Sequence, residues 1–342
     1  MTLRQGAILD PGGRCGDGTA SVRCFSLATL ALAVTAALLA GWRPLGFAVL
    51  TVFLFAGPHN WLEIRYFLSR LPARWGKLRG YFRLAVVGMV GLTASQAVFP
   101  WLASRWHWDA QASLLVAGLW NSLLVLWLAL LMHLRSRQNP RRDWFWAWPV
   151  AIALLTIAWA LPQAWALGLI AVHPLIALWI LDRELRRSRP GLRRAYHACL
   201  LCLPVLMLLL CWFLMARASL PGEDALTVQI TRQAGAGLLP GVSSHLLVAL
   251  HGFLEMIHYG VWILAIPLMG LRTAPWRLQA IPLARRTPTW RKAVGALLAA
   301  GVGLVLLLWA CFLADYSTTW NIYFTVSLLH VLAEFPFLLR AL

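Results

Sequence analysis

The stretch SLLVAGLWNSLLVLWLALLMHL, residues 113–134, contains no Asp, Glu, Lys or Arg and is followed by Arg135 and Arg137. As a helix rising 1.5 Å per residue it covers about 30 Å, the thickness of a bilayer's hydrocarbon core. Comparable apolar stretches fall near 25–42, 45–68, 82–103, 144–162, 163–182, 196–216, 243–270, 293–314 and 319–340. Across the 342 residues 61% are hydrophobic and 12% charged, with a mean hydropathy of +0.71. A soluble domain carries about twice that share of charge. The composition excludes a soluble enzyme, a disordered chain and a secreted disulfide scaffold, since the six cysteines have no regular spacing. The expected fold class is an all-α, polytopic integral membrane helix bundle of about ten transmembrane helices.

The placement of charge orients that bundle. The net charge is +18, and in a ten-span arrangement 26 of the 30 basic residues fall in segments on one side. Only Arg43, Arg105, Arg217 and Arg232 fall on the other. The positive-inside rule then places both termini in the cytoplasm and makes the chain a multi-pass protein of a bacterial-type plasma membrane. The basic loops suit anionic membrane lipids as partners, whereas charges divided among short loops present no single face to nucleic acid. Residues 1–23 are expected to form a disordered cytoplasmic tail, and 24–342 a single transmembrane domain whose first helix is retained. The twenty tryptophans are expected at span ends and in packing.

Ionisable side chains at bilayer depth are costly, about 2.5–3.5 kcal/mol on insertion scales, and mark function. Of five glutamates, Glu184 and Glu223 are expected in loops, with Asp182 and Glu184 as interfacial salt-bridge residues. The other three each follow a histidine by four residues, giving His59–Glu63, His251–Glu255 and His330–Glu334. Chance would supply about 0.1 such pairs, and on a helix i and i+4 share a face. His258 adds a further imidazole three residues beyond Glu255. His59, His173, His251, His258 and His330 all ride on even-numbered spans, between about 7 and 14 residues from the outer end, and so occupy one slab.

Four helices delivering imidazoles to one depth suggest a metal site inside a bundle, with His59, His173, His258 and His330 as the main ligands and His251 as a fifth. Glu63, Glu255 and Glu334 would orient ligands, bridge, or supply a proton. Imidazole with carboxylate suits iron, zinc, manganese or copper. His107, His133 and His197 are read as solvated, and the Cys199-x-x-Cys202 pair as packing. No HExxH, no HxxHH box, no Walker A sequence and no nucleophile elbow occurs.

Ala56-Gly57-Pro58-His59-Asn60-Trp61-Leu62-Glu63 resembles the opening motif of the bacterial membrane carotene dioxygenases of the Brp/Blh type, Gly-x-Pro-His-Gly-x-x-Asp on an early helix. The eighth span, with His251, Glu255 and His258-Tyr259, is loosely similar to that family's later histidine-bearing helix. Asn60-Trp61 stands where the family has small residues, and Glu63 where it has aspartate. The resemblance implies a ferrous iron (Fe2+) held by His59, and through the later helix by His251 and His258, that activates dioxygen against a polyene. The expected function is therefore a membrane-embedded non-haem oxygenase acting on a lipophilic small molecule, an isoprenoid or carotenoid. Two other classes fit the polar residues. One is a proton-coupled transporter using the His–Glu pairs, with helices unwound at Pro58 and Pro174; the other is a b-type haem protein.

Overall fold

Backbone polar groups find no water in hydrocarbon, so apolar segments must satisfy them internally as helices. The computed structural model describes residues 18–138, 143–222, 224–268 and 276–341, and these fold into helices joined by short connections, with no strand among them. In chain order they are α1 (Gly18–Trp42), α2 (Pro44–Arg70), α3 (Arg79–Arg105), α4 (Ala110–Gln138), α5 (Ala147–Ala160), α6 (Pro162–Ser188), α7 (Pro190–Leu200), α8 (Cys202–Leu214) and α9 (Ala225–Gln233). There follow α10 (Ser244–Gly260), a π-helical turn Val261–Ala265, α11 (Ile266–Leu268), α12 (Pro288–Ala314) and α13 (Tyr316–Ala341). Residues 1–17 lie outside the described residues, but α1 already begins at Gly18, inside the stretch expected as a tail. Glu223 also lies outside them.

Nine segments among the described residues are long and apolar enough to cross a membrane, with α7 and α8 together forming one of them, Pro190–Leu214. The tenth expected span is the shorter apolar helix α5, 14 residues long, or about 21 Å. Its direction follows from its neighbours. Arg135 near the end of α4 donates to the carbonyl of Arg340 at the end of α13. Arg183, Arg186 and Arg187 at the end of α6 line one cavity with Arg70 and Arg340. The C-terminal ends of α4 and α6 thus lie at the same, basic end of the bundle. The helix between them must run back, so α5 serves as a tenth crossing beside the nine long spans among the described residues.

The centre of the bundle is α10. Of its apolar window 72% is buried inside the protein, against 11–41% for the other spans. One side of α10 meets α1 and α8 through Ala33, Ala36, Ala40, Leu210, Ala249 and Phe253. Another side meets α2, α9 and α13 through Val52, Ile230, Val248 and Trp320. Farther out, α3 and α4 pack on α13 through Tyr81, Trp120, Trp127 and Leu332, and α5 packs on α4 through Val125, Ala129 and Ala151. The remaining large apolar side chains face outward: Leu123, Leu208, Trp212, Leu304 and Leu313 are 58–81% exposed, as a lipid-facing surface requires.

Many of the aromatic donors hold helix to helix by reaching a backbone carbonyl. The indoles of Trp120 and Trp127 on α4 donate to Leu92 and Leu84 of α3 at 3.0 and 2.9 Å. Trp309 on α12 donates to Phe53 on α2 at 2.7 Å, and Trp61 on α2 donates back to Leu298 on α12 at 2.9 Å. Tyr316 and Tyr81 donate to Val49 and Pro336, at 2.7 and 2.6 Å. An indole N–H in hydrocarbon must find an acceptor, so each such contact fixes spacing and rotation together. Gly301 lies under the Trp61 ring, where a Cβ would come within 2.7 Å of it.

Two sequence expectations are corrected here. The helices α2 and α6 run unbroken through Pro58 and Pro174 rather than unwinding. Glu184 is not in a loop but on α6, 4% exposed, where it accepts from Tyr66 Oη at 2.8 Å and pairs with Arg70. Departures from α-helix within described spans fall elsewhere, at Leu201 between α7 and α8 and at the π turn Val261–Ala265. Asp182 does form an ion pair at the basic end, with Arg193 at 2.8 Å and His197 at 2.7 Å.

Ten crossings have a direct readout. In a cysteine-free background, Gln138→Cys and Ser188→Cys should both react with a membrane-impermeant maleimide from the same side, and Asp109→Cys from the other. If α5 did not cross, Gln138→Cys and Ser188→Cys would react from opposite sides.

Candidate metal centre

Four helices converge on one point: α2 brings His59, α6 His173, α10 His258 and α13 His330. The ring centroids of His59 lie 5.3 Å from His258 and 5.2 Å from His330, and those of His173 lie 4.2 Å from His258 and 5.3 Å from His330. Two carboxylates complete the cluster. One group, His59, Glu63, His258 and His330, has its ligand atoms within 4.8 Å of one another, and so has a second, His173, His258 and Glu334. His258 belongs to both, so the two groups form one connected centre.

Many of the polar atoms of this centre lack hydrogen-bond partners inside the protein. His59, Glu63 and Glu334 are 0% exposed and His258 1%. The Nε2 atoms of His59 and His330, both ring nitrogens of His258 and both carboxylate oxygens of Glu63 have no hydrogen-bond partner. Burying a carboxylate without compensation costs several kcal/mol, and the cost is removed by pairing or by a metal. The ring of His59 is held in one orientation by its own helix. Its Nδ1 lies 2.9 Å from the carbonyl of Phe55, one turn back on α2. That carbonyl can only accept, so Nδ1 carries the proton and Nε2 presents a lone pair to the cluster, the usual orienting contact of a ligating histidine.

The carboxylates are distributed differently from the sequence pairs. Glu63 joins the same group as His59, its partner at i−4. Glu334 does not join the group of His330, its own i−4 neighbour; it faces α6, with Oε2 3.2 Å from His173 Nδ1. His251 and Glu255 keep their pairing at 3.7 Å but stand outside both ligand groups. They line the neighbouring cavity instead. His251, expected as a fifth ligand, is thus not brought into the cluster. His107 and His133 are exposed and far from the cluster in sequence and side-chain contact, His197 pairs with Asp182, and Cys199 and Cys202 are free thiols.

That cavity measures about 420 Å3 and opens directly on His173, His258 and His330. Its walls are apolar and come from α4, α6 and α13, through Trp120, Leu124, Leu169, Leu328 and Phe335. Its size falls in the range of small-molecule pockets, roughly 300–1,000 Å3. At the end away from the basic face, α9 supplies Arg232 and Gln233. This helix is firmly set: Asp224 caps it by accepting from the Thr227 amide at 2.8 Å and hydroxyl at 2.6 Å, bonds that hold its carboxyl below the ordinary range. Gln233 Oε1 in turn accepts from Trp320 at 2.7 Å.

Three features of the site were not read from the sequence. Tyr259 lies against the His59 ring, with centroids 4.3 Å apart, and Tyr323 accepts a 3.4 Å hydrogen bond from Asn60. The third is the π turn Val261–Ala265, which begins three residues after His258. Such turns recur at functional sites because they re-aim the side chains beside them. Only the adjacency of Tyr259 to His258 could have drawn attention to it. No family model, no curated protein and no solved structure matches this chain.

Proposed function

We propose that this protein is a membrane-embedded, non-haem metalloenzyme that holds iron at the His/Glu centre and oxidises a lipophilic substrate, an isoprenoid or carotenoid. The observation that carries the reading is the set of buried imidazole and carboxylate atoms without partners, converging from four helices. A cation satisfies all of them at once, and a donor set of nitrogen and oxygen suits iron. Ferrous iron, when bound, would supply the activation of dioxygen. His59, His173, His258, His330, Glu63 and Glu334 would hold it, with the Phe55 carbonyl fixing the His59 ring.

The rest of the chemistry belongs to the cavity. Apolar walls bind a hydrocarbon chain and keep water from the reacting atoms. Glu255, paired with His251 and facing the same cavity, stands where it can give or take a proton beside the substrate. Tyr259 limits the space beside His59 and sets the approach of the chain. The motif around His59 and its likeness to the Brp/Blh-type dioxygenases support a polyene as substrate.

Elemental analysis of protein purified in mild detergent should find iron at one or two ions per chain and no Soret band. His59→Ala, His258→Ala and His330→Ala should each lower bound iron at least fivefold, with His258→Ala, which both groups share, the most severe. His107→Ala should leave it unchanged. Absence of any transition metal after anaerobic reconstitution would sink the centre, and a Soret band would move it to haem.

Glu255→Gln should retain iron but slow polyene oxidation by about 100-fold, the size of a lost general acid–base. Unchanged turnover with unchanged iron would reduce that carboxylate to a helix-packing role.

A further inference from the structure

A second cavity, of about 480 Å3, lies at the basic end of the bundle, where α2, α6 and α13 finish. Five guanidiniums line it, from Arg70, Arg183, Arg186, Arg187 and Arg340, against a single carboxylate, Glu184. That carboxylate is already engaged, by the Tyr66 hydroxyl at 2.8 Å and by Arg70. The other acid of α6, Asp182, is taken by Arg193 and His197. Four positive charges therefore face one concave space with no counter-charge among the described residues. The Nε atoms of Arg70 and Arg183 are buried without an acceptor.

The cavity is built rather than incidental. Arg340 donates to the backbone carbonyl of Arg70 at 2.5 Å, and Arg135 donates to that of Arg340 at 3.5 Å, so three span ends are tied together. Arg183 lies 5.8 Å from the Trp179 ring centre and Arg70 5.2 Å from that of Tyr66, which limits their swing. One wall is apolar, formed by Phe67 and Phe337, whose rings stack in parallel 4.1 Å apart. Basic residues needed only for orientation could be spread over the surface; here they converge. Guanidinium forks match phosphate oxygens two at a time, and basic pockets between span ends accept the head groups of anionic lipids.

We infer that this cavity is a phosphate-binding site, holding either the phosphodiester of an anionic phospholipid or a soluble phosphate or pyrophosphate. The shared chemistry is a tetrahedral anion held by Arg183, Arg187 and Arg340 over the apolar wall. The inference is independent of the metal centre.

The test uses the full chain purified in a neutral detergent at 150 mM chloride. Native mass spectrometry with phosphatidylglycerol or phosphatidylcholine probes the lipid, and calorimetry with inorganic phosphate or pyrophosphate probes the soluble anion. Retention of one phosphatidylglycerol in preference to phosphatidylcholine assigns the site to lipid; sub-millimolar binding of phosphate or pyrophosphate assigns it to a soluble ligand. In either case Arg183→Gln with Arg187→Gln should weaken binding at least tenfold. Arg291→Gln with Lys292→Gln, an equal loss of charge at the start of α12, should change it less than twofold. Equal losses in the two double variants, or binding of none of the probes, overturn the inference. Should the cavity variant not fold, phenylglyoxal modification of the wild type decides. The bound anion should slow reaction at Arg183 and Arg187 but not at Arg291, and equal slowing or none overturns the inference.

Discussion

Inside a hydrocarbon slab, a carboxylate stripped of water and given no donor is among the most costly things a protein can hold, and Glu63 is such a group. Glu334 shares its burial and has an imidazole within 3.2 Å. The surrounding imidazoles offer lone pairs of their own and so cannot all neutralise these acids. A bound cation would reconcile the cluster, and the side chains that could hold it come from the four helices that meet there, α2, α6, α10 and α13. The most buried helix of the bundle, α10, carries the histidine common to both ligand groups. Outside these four helices, α4 and α9 contribute walls to the adjoining cavity, and α1, α3, α5, α8 and α12 brace the bundle and face lipid.

The bracing is unequal in kind. Around α10 the contacts are small-residue packing, with alanines of α1 and α10 letting the backbones approach. Around α2 and α13 the contacts are long polar reaches from Trp and Tyr to main-chain oxygens. The first kind sets distance and the second sets rotation. Rotation matters most for α2, because His59 and Glu63 must both point at the cluster while Trp61, on another face, is held by α12.

Much of this architecture could be read before the coordinates. Uncharged runs give the crossings, because bilayer thickness acts locally along the chain, and several of the arginines gather at span ends that meet around one cavity. The depth of His59, His173, His258 and His330 follows from counting residues along each span. What the chain alone does not encode is azimuth. A four-residue spacing puts Glu334 beside His330 on its own helix, yet packing turns the carboxylate toward His173 on α6. The same rotation leaves His251 beside the cavity and outside the ligand groups. Proline suggested unwound helices at Pro58 and Pro174, but α2 and α6 continue through both. One departure from α-helix falls instead at Val261–Ala265, where no Pro or Gly occurs within the turn. Glu184 looked like a loop acid because arginines surround it in sequence, yet what allows its burial comes from another helix, the Tyr66 hydroxyl and the Arg70 guanidinium of α2.

The indole and phenol staples carry a consequence for how such a bundle drifts in evolution. Each joins one side chain to a main-chain oxygen, so the residue supplying that oxygen can change freely without losing the bond. Replacing the aromatic residue loses it outright, and no substitution opposite can restore it. Contacts of this kind leave no paired changes between helices. Methods that infer proximity from correlated substitutions will therefore find the α2–α12 and α3–α4 seams through the small residues beneath the rings, Gly301 under Trp61 and Gly88 under Trp127, rather than through the hydrogen bonds that fix their register.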